Sequence, residues 1–275
     1  ERGRFAEYAA AGINRISLGA QSFDDALLRR IGRIHSAAET GQAIEELAAA
    51  GIGNFNLDIM YGLPGQTAAS ALDDLEQAIA HAPPHLSWYE LTLEPGTAFY
   101  RRPPRLPPER DMLEMEANGR ECLAAAGFER YEISAYARAG ARCRHNENYW
   151  GYGDYLGVGP GAHGKRSRGE RIWRSERIHS PMRWLRQAGA PEAVSLNEVP
   201  HSERPFEYVL NALRCMRGFD WPVFEARTGL PREVIARPVA AAVADGLLET
   251  AGERVWPSDR GLRYLNDLQA RFLPV

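Results

Sequence analysis

Between Gly12 and about Pro95, short β-type runs alternate with longer helical ones, and this alternation constrains the fold more than any other feature of the chain. Ile13 to Gly19 reads as a strand, Asp24 to Ile31 as a short helix, and the Ala-rich stretch Ser36 to Ala50 as a second helix closed by Gly51. Phe55 to Met60 is the next strand, followed by a Gly62-Leu63-Pro64-Gly65 turn, a helix over Ala68 to Ala80, and a third strand over Leu86 to Leu93. Strands separated by helices of this length predict parallel pairing, hence part of a β/α barrel or an open doubly wound sheet. In both, ligands bind at the C-terminal ends of the strands, so polar groups there are the first to read for function.

Beyond Pro95 the pattern changes. Pro103 to Pro108 breaks it before a long amphipathic helix, about Glu109 to Ala126, and Tyr131-Glu132-Ile133-Ser134 reads as one more strand. Tyr136 to Gly164 is Gly-rich and aromatic with little periodicity, as functional loops are. A second break near Ser195 to Pro205 precedes helices at Phe206 to Met216, Trp221 to Thr228 and Arg232 to Asp245. A hairpin through Leu248 and Val255 and a last helix, Arg260 to Phe272, complete a winged-helix-like module. Such modules often bind DNA, but no basic stripe marks this one, and a packing or docking role is the expectation.

With 33 Lys and Arg against 36 Asp and Glu, the formal charge of -3 gives no general pull toward nucleic acid or anionic membrane. No apolar run approaches the roughly 20 residues that span a bilayer, and the start is not signal-like, so the expected compartment is the cytoplasm. Cys122, Cys143 and Cys215 match no short disulfide framework and are expected to be reduced thiols. The chain opens without Met, in what reads as the last turns of a helix closed by Gly12, which predicts a fragment of a longer polypeptide.

Three groups of residues can carry chemistry. Gln21 follows the first strand, Arg33 the helix after it, and Asp58 sits late in the second strand. An amide, a guanidinium and a carboxylate at one barrel mouth would suit a zwitterionic, ribose-containing ligand: Asp accepts from ribose hydroxyls, and Arg pairs with a carboxylate. Spacing alone leaves a structural role open for each. Second, in Cys143-Arg144-His145-Asn146-Glu147-Asn148-Tyr149-Trp150, His145 can ligate haem iron while Tyr149 and Trp150 offer flat surfaces to a macrocycle; a hydrogen-bonded loop histidine is the alternative. Third, Gly153 to Gly164 carries closely spaced glycines that let backbone approach a ligand. No helix follows to supply an N-terminal dipole, so this is not read as a nucleotide loop.

The segments Asn14 to Phe23, Asn56 to Gln66 and Trp88 to Pro95, in this order, resemble consecutive strand-end motifs of the oxygen-independent coproporphyrinogen oxidase family of radical S-adenosylmethionine (SAM) proteins, which comprises the HemN enzymes and the HemW haem chaperones. The resemblance runs to the C-terminus. It implies that Gln21, Arg33 and Asp58 contact SAM and that Thr92 and His163 line the same cofactor. His145-Asn146-x-x-Tyr149-Trp150 is similar to the His-Asn-x-x-Tyr-Trp haem-binding signature of the HemW branch, which implies haem binding through His145, Asn146, Tyr149 and Trp150, with His145 on the iron.

The resemblance therefore implies an α/β fold: the C-terminal part of a partial (β/α)6 TIM-like barrel over residues 1–195, with the haem motif in a loop, then a small winged-helix-like α+β domain over 196–275. The implied cofactors are SAM, a [4Fe-4S] cluster and haem; the implied partners are haem or porphyrin and haem-acceptor proteins, with no nucleic acid and any membrane contact only peripheral, through the acceptors. The implied task is binding haem and delivering it to haem proteins. The alternative is an oxygen-independent coproporphyrinogen III oxidase, which decarboxylates porphyrin propionates. Cluster chemistry needs a Cys-x3-Cys-x2-Cys triplet, and the three cysteines form none, so the ligands are expected ahead of Glu1 and this chain alone is expected to be inactive in SAM cleavage.

Overall fold

The computed structural model describes residues 3–274, which divide into two compact units, the first ending at Arg142 and the second beginning at Cys143. The first holds α1 (Phe5–Ala10), β1 (Ile16–Gln21), α2 (Asp25–Arg30), α3 (Ala37–Ala49), β2 (Phe55–Tyr61), α4 (Ala68–Ala80), β3 (His85–Glu90), α5 (Ala98–Arg101), α6 (Glu109–Ala125), β4 (Glu129–Arg130) and β5 (Ala135–Ala137). Four of these six helices, α2 to α5, start where side chains satisfy free N–H groups of the first turn. Asp24 caps α2, while Ser36 with Glu39 and Thr67 with Ser70 form reciprocal caps on α3 and α4.

β1, β2 and β3 pair in parallel in that order, as the alternation predicts. The fourth piece departs from expectation. Tyr131 to Ser134 is not a strand: β4 and β5 flank it, and β5 pairs antiparallel with both β3 and β4, giving the order β1-β2-β3-β5-β4. Only residues 131–134 separate β4 from β5, too few for a crossover, and the chain folds back, with Arg130 donating to the Glu132 and Ile133 carbonyls.

Side-chain alternation divides this sheet into two chemically different faces. Phe55, Leu57, Ile59 and Tyr61 of β2 and Leu86 and Trp88 of β3 pack into one core with Leu47 of α3, Leu75 of α4 and Met115 and Leu123 of α6. A glycine inside α6 makes this possible: a Cβ on Gly119 would come within 2.0 Å of the Trp88 ring. At about 25 cal/mol per Å2, burying each of these large side chains contributes roughly 2 kcal/mol. The other face carries Ser17, Asn56, Asp58, His85, Ser87 and Tyr89.

The second unit contains α7 (Arg144–Trp150), β6 (His163–Arg168), β7 (Arg171–Arg177), α8 (Pro181–Gln187), β8 (Val194–Glu198), α9 (Arg204–Ala212), β9 (Phe219–Asp220), α10 (Trp221–Thr228), α11 (Glu233–Ala244), β10 (Leu248–Ala251), β11 (Arg254–Pro257), α12 (Asp259–Arg263) and α13 (Leu265–Ala270). β6, β7 and β8 form an antiparallel sheet and β10, β11 and β9 another, the wing expected beside the helices. The expected last helix is two short ones, interrupted at Tyr264.

One expectation changes here. The stretch read as an aperiodic loop contains a helix, so the His145 motif lies on α7. Within the second compact unit, residues from 143 on pack with the C-terminal helices: Tyr152 meets Tyr208 edge-on and donates to Glu207 of α9, which also pairs with Arg174 of β7. Lys165 of β6, 2% exposed, lies over the Tyr152 ring and donates to Asp154.

Candidate functional sites

In the first unit, one phenol, that of Tyr89, bonds to Gln21 and is acted on electrostatically by Asp58 and Arg33. Gln21 ends β1 in the left-handed region, at φ 69°, where β1 bulges against β2. Such a conformation costs a non-glycine residue on the order of 1 kcal/mol. It is held by buried contacts: the Gln21 amide lies over Gly19, where a Cβ would come within 2.8 Å of Nε2, and Gln21 Oε1 accepts from the Tyr89 hydroxyl at 2.8 Å. Burial pushes the Tyr89 hydroxyl up, the Asp58 charge pushes it further, and Arg33 and the Gln21 bond oppose them. Tyr89 therefore bonds to Gln21 and lies within electrostatic reach of Arg33 and Asp58; Gln21 ends β1, whereas Asp58 lies in the middle of β2 and not late in the strand as expected.

Arg33 reaches its place through the end of α2. Gly32, at φ 74°, closes that helix, and the Arg33 N–H donates back to the Leu28 carbonyl. The guanidinium is exposed and makes no ion pair among the described residues, so it is available to a carboxylate. Asp58 is half-buried, with Oδ1 accepting from Asn56 Nδ2 at 2.7 Å and Oδ2 from Ser17 Oγ at 3.1 Å. An ionised carboxylate has about four acceptor positions, so two remain open.

Thr92 falls outside β3, which ends at Glu90, earlier than the strand expected to Leu93; it is exposed and its hydroxyl donates to Glu94 at 2.9 Å. Two other polar residues of the strand-end motifs do structural work. The buried Asp74 of α4 accepts from Ser22 Oγ, the Phe23 N–H and Gln66 Nε2, fixing the turns that follow β1 and β2. Burial outweighs these bonds and raises its carboxyl to about 6.

Sequence reasoning missed Tyr89, Asn56, His85, Ser17 and Tyr131. A signal existed for most of them: polar residues at every second position of β2 and β3 are unusual for a parallel sheet, whose two faces are normally apolar. Tyr131 carried no such signal, since it comes from an irregular segment.

In the second unit, α7 places His145 and Tyr149 one turn apart on one face, ring centroids 4.7 Å apart, and Tyr149 continues to Tyr155 at 4.2 Å. His145 is exposed, and neither ring nitrogen has a hydrogen-bond partner among the described residues. Trp150, on the neighbouring face, lies under the Arg214 guanidinium at 4.4 Å, and its indole N–H is buried without a partner. Asn146 is half-buried; Asn148 donates to the Asp154 carbonyl and ties α7 to the Gly-rich stretch. Asp154 in turn accepts from Lys165 and Ser167, so that stretch is pinned to β6 through a structural carboxylate. His163 opens β6 in this unit, exposed, across from Glu176 and near His179; ligand atoms of the three lie within 4.8 Å of one another. The three cysteines form no group with other metal-binding side chains among the described residues.

The radical SAM superfamily profile matches residues 2–78 and the HemN C-terminal domain profile residues 199–264. The structure resembles that of coproporphyrinogen III oxidase (HemN) from Escherichia coli, with a TM-score of 0.77 and 18% identity, covering 98% of this chain and 66% of that one. This likeness shows the fold: the latter part of a radical SAM α/β barrel followed by a C-terminal domain. Among curated proteins, heme chaperone HemW of Haemophilus influenzae is 42% identical over 275 residues, covering 99% of this chain and 71% of its own length, and heme chaperone HemW of Escherichia coli is 42% identical over 274 residues, covering 99% and 72%. A mouse mitochondrial radical S-adenosyl methionine domain-containing protein 1 is 35% identical over 289 residues, with 98% and 64% covered. The chain belongs to the HemW family. Among the described residues, no helix is long and apolar enough to cross a membrane.

Proposed function

We propose that this chain binds haem through α7 and delivers it to haem-requiring acceptor proteins in the cytoplasm, as a HemW-like haem chaperone. The observation that carries the reading is His145: an exposed imidazole with two uncommitted nitrogens, backed by Tyr149 one turn on and by Trp150. Haem iron takes one ring nitrogen, and the aromatic rings offer the macrocycle a flat apolar contact. The names of the relatives, heme chaperone HemW, support the assignment.

The first unit serves SAM. Gln21, Arg33 and Asp58 fit a ligand with a ribose and a carboxylate, through the two open acceptor positions on Asp58 and the unpaired guanidinium of Arg33. Thr92 is a lining residue by family resemblance; the same resemblance names His163, which belongs to the second unit. When bound, SAM on a [4Fe-4S] cluster supplies one-electron cleavage chemistry; this chain's described cysteines offer no triplet to hold such a cluster.

Haemin titrated into the protein is expected to give a shifted Soret band that weakens at least tenfold in His145→Ala. An unchanged titration in that variant would remove His145 from the haem site.

A further inference from the structure

Asp58 is the end of a buried chain of hydrogen bonds whose polarity can be deduced. Its carboxylate only accepts, so the Asn56 side chain must turn its NH2 toward it, at 2.7 Å, with a second N–H to Ser17 Oγ at 2.6 Å. That orientation leaves Asn56 Oδ1 facing His85 Nδ1 at 2.6 Å, and Ser87 Oγ also donates to it at 3.2 Å. An amide oxygen cannot donate, so His85 carries its proton on Nδ1. Its Nε2 then accepts from the Tyr131 hydroxyl at 2.8 Å. Every bond in the series therefore points the same way: Tyr131 to His85 to Asn56 to Asp58.

The series is sheltered from water. His85 is 1% exposed, Asn56 3% and Tyr131 4%. A neutral imidazole is what the arrangement requires, and burial with the nearby Arg15 charge lowers His85 to about 3. Aligned bonds in a low-dielectric interior strengthen one another. The last donor in the series faces the carboxylate, and Ser17 holds its other oxygen at 3.1 Å. Both oxygens are thereby fixed, and an ionised carboxylate keeps further acceptor positions for a ligand.

We propose that Asn56 and His85, with Tyr131 behind them, are positioning residues that aim the Asp58 carboxylate at a vicinal diol, the ribose hydroxyls of the nucleoside ligand. This rests on the reading of the first unit as a SAM site. Neither residue touches the ligand; each acts through the next. A core filler would need only shape at position 85, whereas the relay needs a donor toward Asn56 and an acceptor toward Tyr131. Glutamine supplies both and phenylalanine neither.

The test is SAM affinity, measured by calorimetry on the full-length, cluster-loaded protein, for Asp58→Ala, His85→Phe, His85→Gln and Ser17→Ala. Asp58→Ala is expected to weaken SAM binding by about a hundredfold and His85→Phe by about tenfold, with His85→Gln within about twofold of the wild type. Ser17→Ala, at an exposed strand position, is expected to weaken it about threefold and keeps the question answerable if His85→Phe does not fold. Unchanged affinity in Asp58→Ala would overturn the SAM reading itself. Weakening in Asp58→Ala with wild-type affinity in Ser17→Ala and in whichever of the His85 variants folds would overturn the relay alone, as would equal losses in His85→Phe and His85→Gln.

Discussion

The polar face of the first unit's sheet and helix α7 of the second unit are built on opposite principles. On the sheet, Gln21, Asn56 and His85 are almost fully buried and nearly every polar atom has a fixed partner. On α7, His145 is exposed and its ring nitrogens are uncommitted. A buried polar group without its partner costs about 1–3 kcal/mol, so the sheet site is part of what holds its unit together. An exposed histidine can be changed at little cost to folding, so α7 is free to trade ligands. The contrast fits a cofactor retained in one place and a cargo taken up and released in another.

The contrast can be broken by mutation. Asp74→Ala removes the acceptor of three buried donors beside the sheet site and is expected to destabilise the first unit by about 3 kcal/mol in urea unfolding. A loss below about 1 kcal/mol would show that water replaces the carboxylate and that the turns are not clamped.

The next largest effect depends on pH. His85 is depressed to about 3 when folded, so the unfolded chain takes up a proton below about pH 6.5 that the folded one refuses. Its contribution is present above pH 6.5 and falls by about 1.4 kcal/mol per unit below it, roughly 2 kcal/mol by pH 5. Asp74, raised to about 6, has the opposite sign: the folded state holds a proton that the unfolded chain gives up above about pH 4, so its stabilising linkage is lost as pH rises from 4 to 6. The two nearly cancel in the wild type. His85→Gln should therefore be more stable at pH 4.5 than at pH 6.5, relative to the wild type; equal slopes in the two proteins would show that His85 is not held neutral.

Smaller still is Gln21→Gly. Glycine relieves the left-handed backbone by about 1 kcal/mol while losing the bond to Tyr89, so folding stability should change by less than about 1 kcal/mol. SAM affinity should nonetheless fall. A variant that binds SAM as the wild type does would mean that the strain at Gln21 serves the fold and not the ligand. Smallest is His145→Ala, expected within about 0.5 kcal/mol of the wild type in unfolding; a larger loss would make α7 structural and erase the contrast.

Much of the first unit was legible because helix and strand periods differ and each helix has its own stop and start chemistry. Asp24, Ser36 and Thr67 mark starts, and Gly32 and Gly51 follow ends. What could not be read was anything that depends on long-range pairing. The antiparallel return of β5 depends on the fold-back at Arg130, and the Lys165–Asp154–Tyr152 cluster that joins the Gly-rich stretch to β6 exists only after the second unit has folded. Helix α7 was hidden for a different reason: His, Asn, Tyr and Trp are indifferent helix formers, and its seven residues carry no side-chain cap. In the sheet site, Gln21, Arg33 and Asp58 were visible as polar groups, whereas Asn56 and His85 were passed over as strand residues although their alternate spacing with Asp58, Ser87 and Tyr89 marks one polar face.

The most direct measurement is electron paramagnetic resonance of the ferric haem complex in protein labelled with nitrogen-15 at histidine. A hyperfine coupling to one histidine nitrogen that disappears in His145→Ala is the predicted result. A coupling that persists in His145→Ala, or none in the wild type, would contradict the placement of haem on α7.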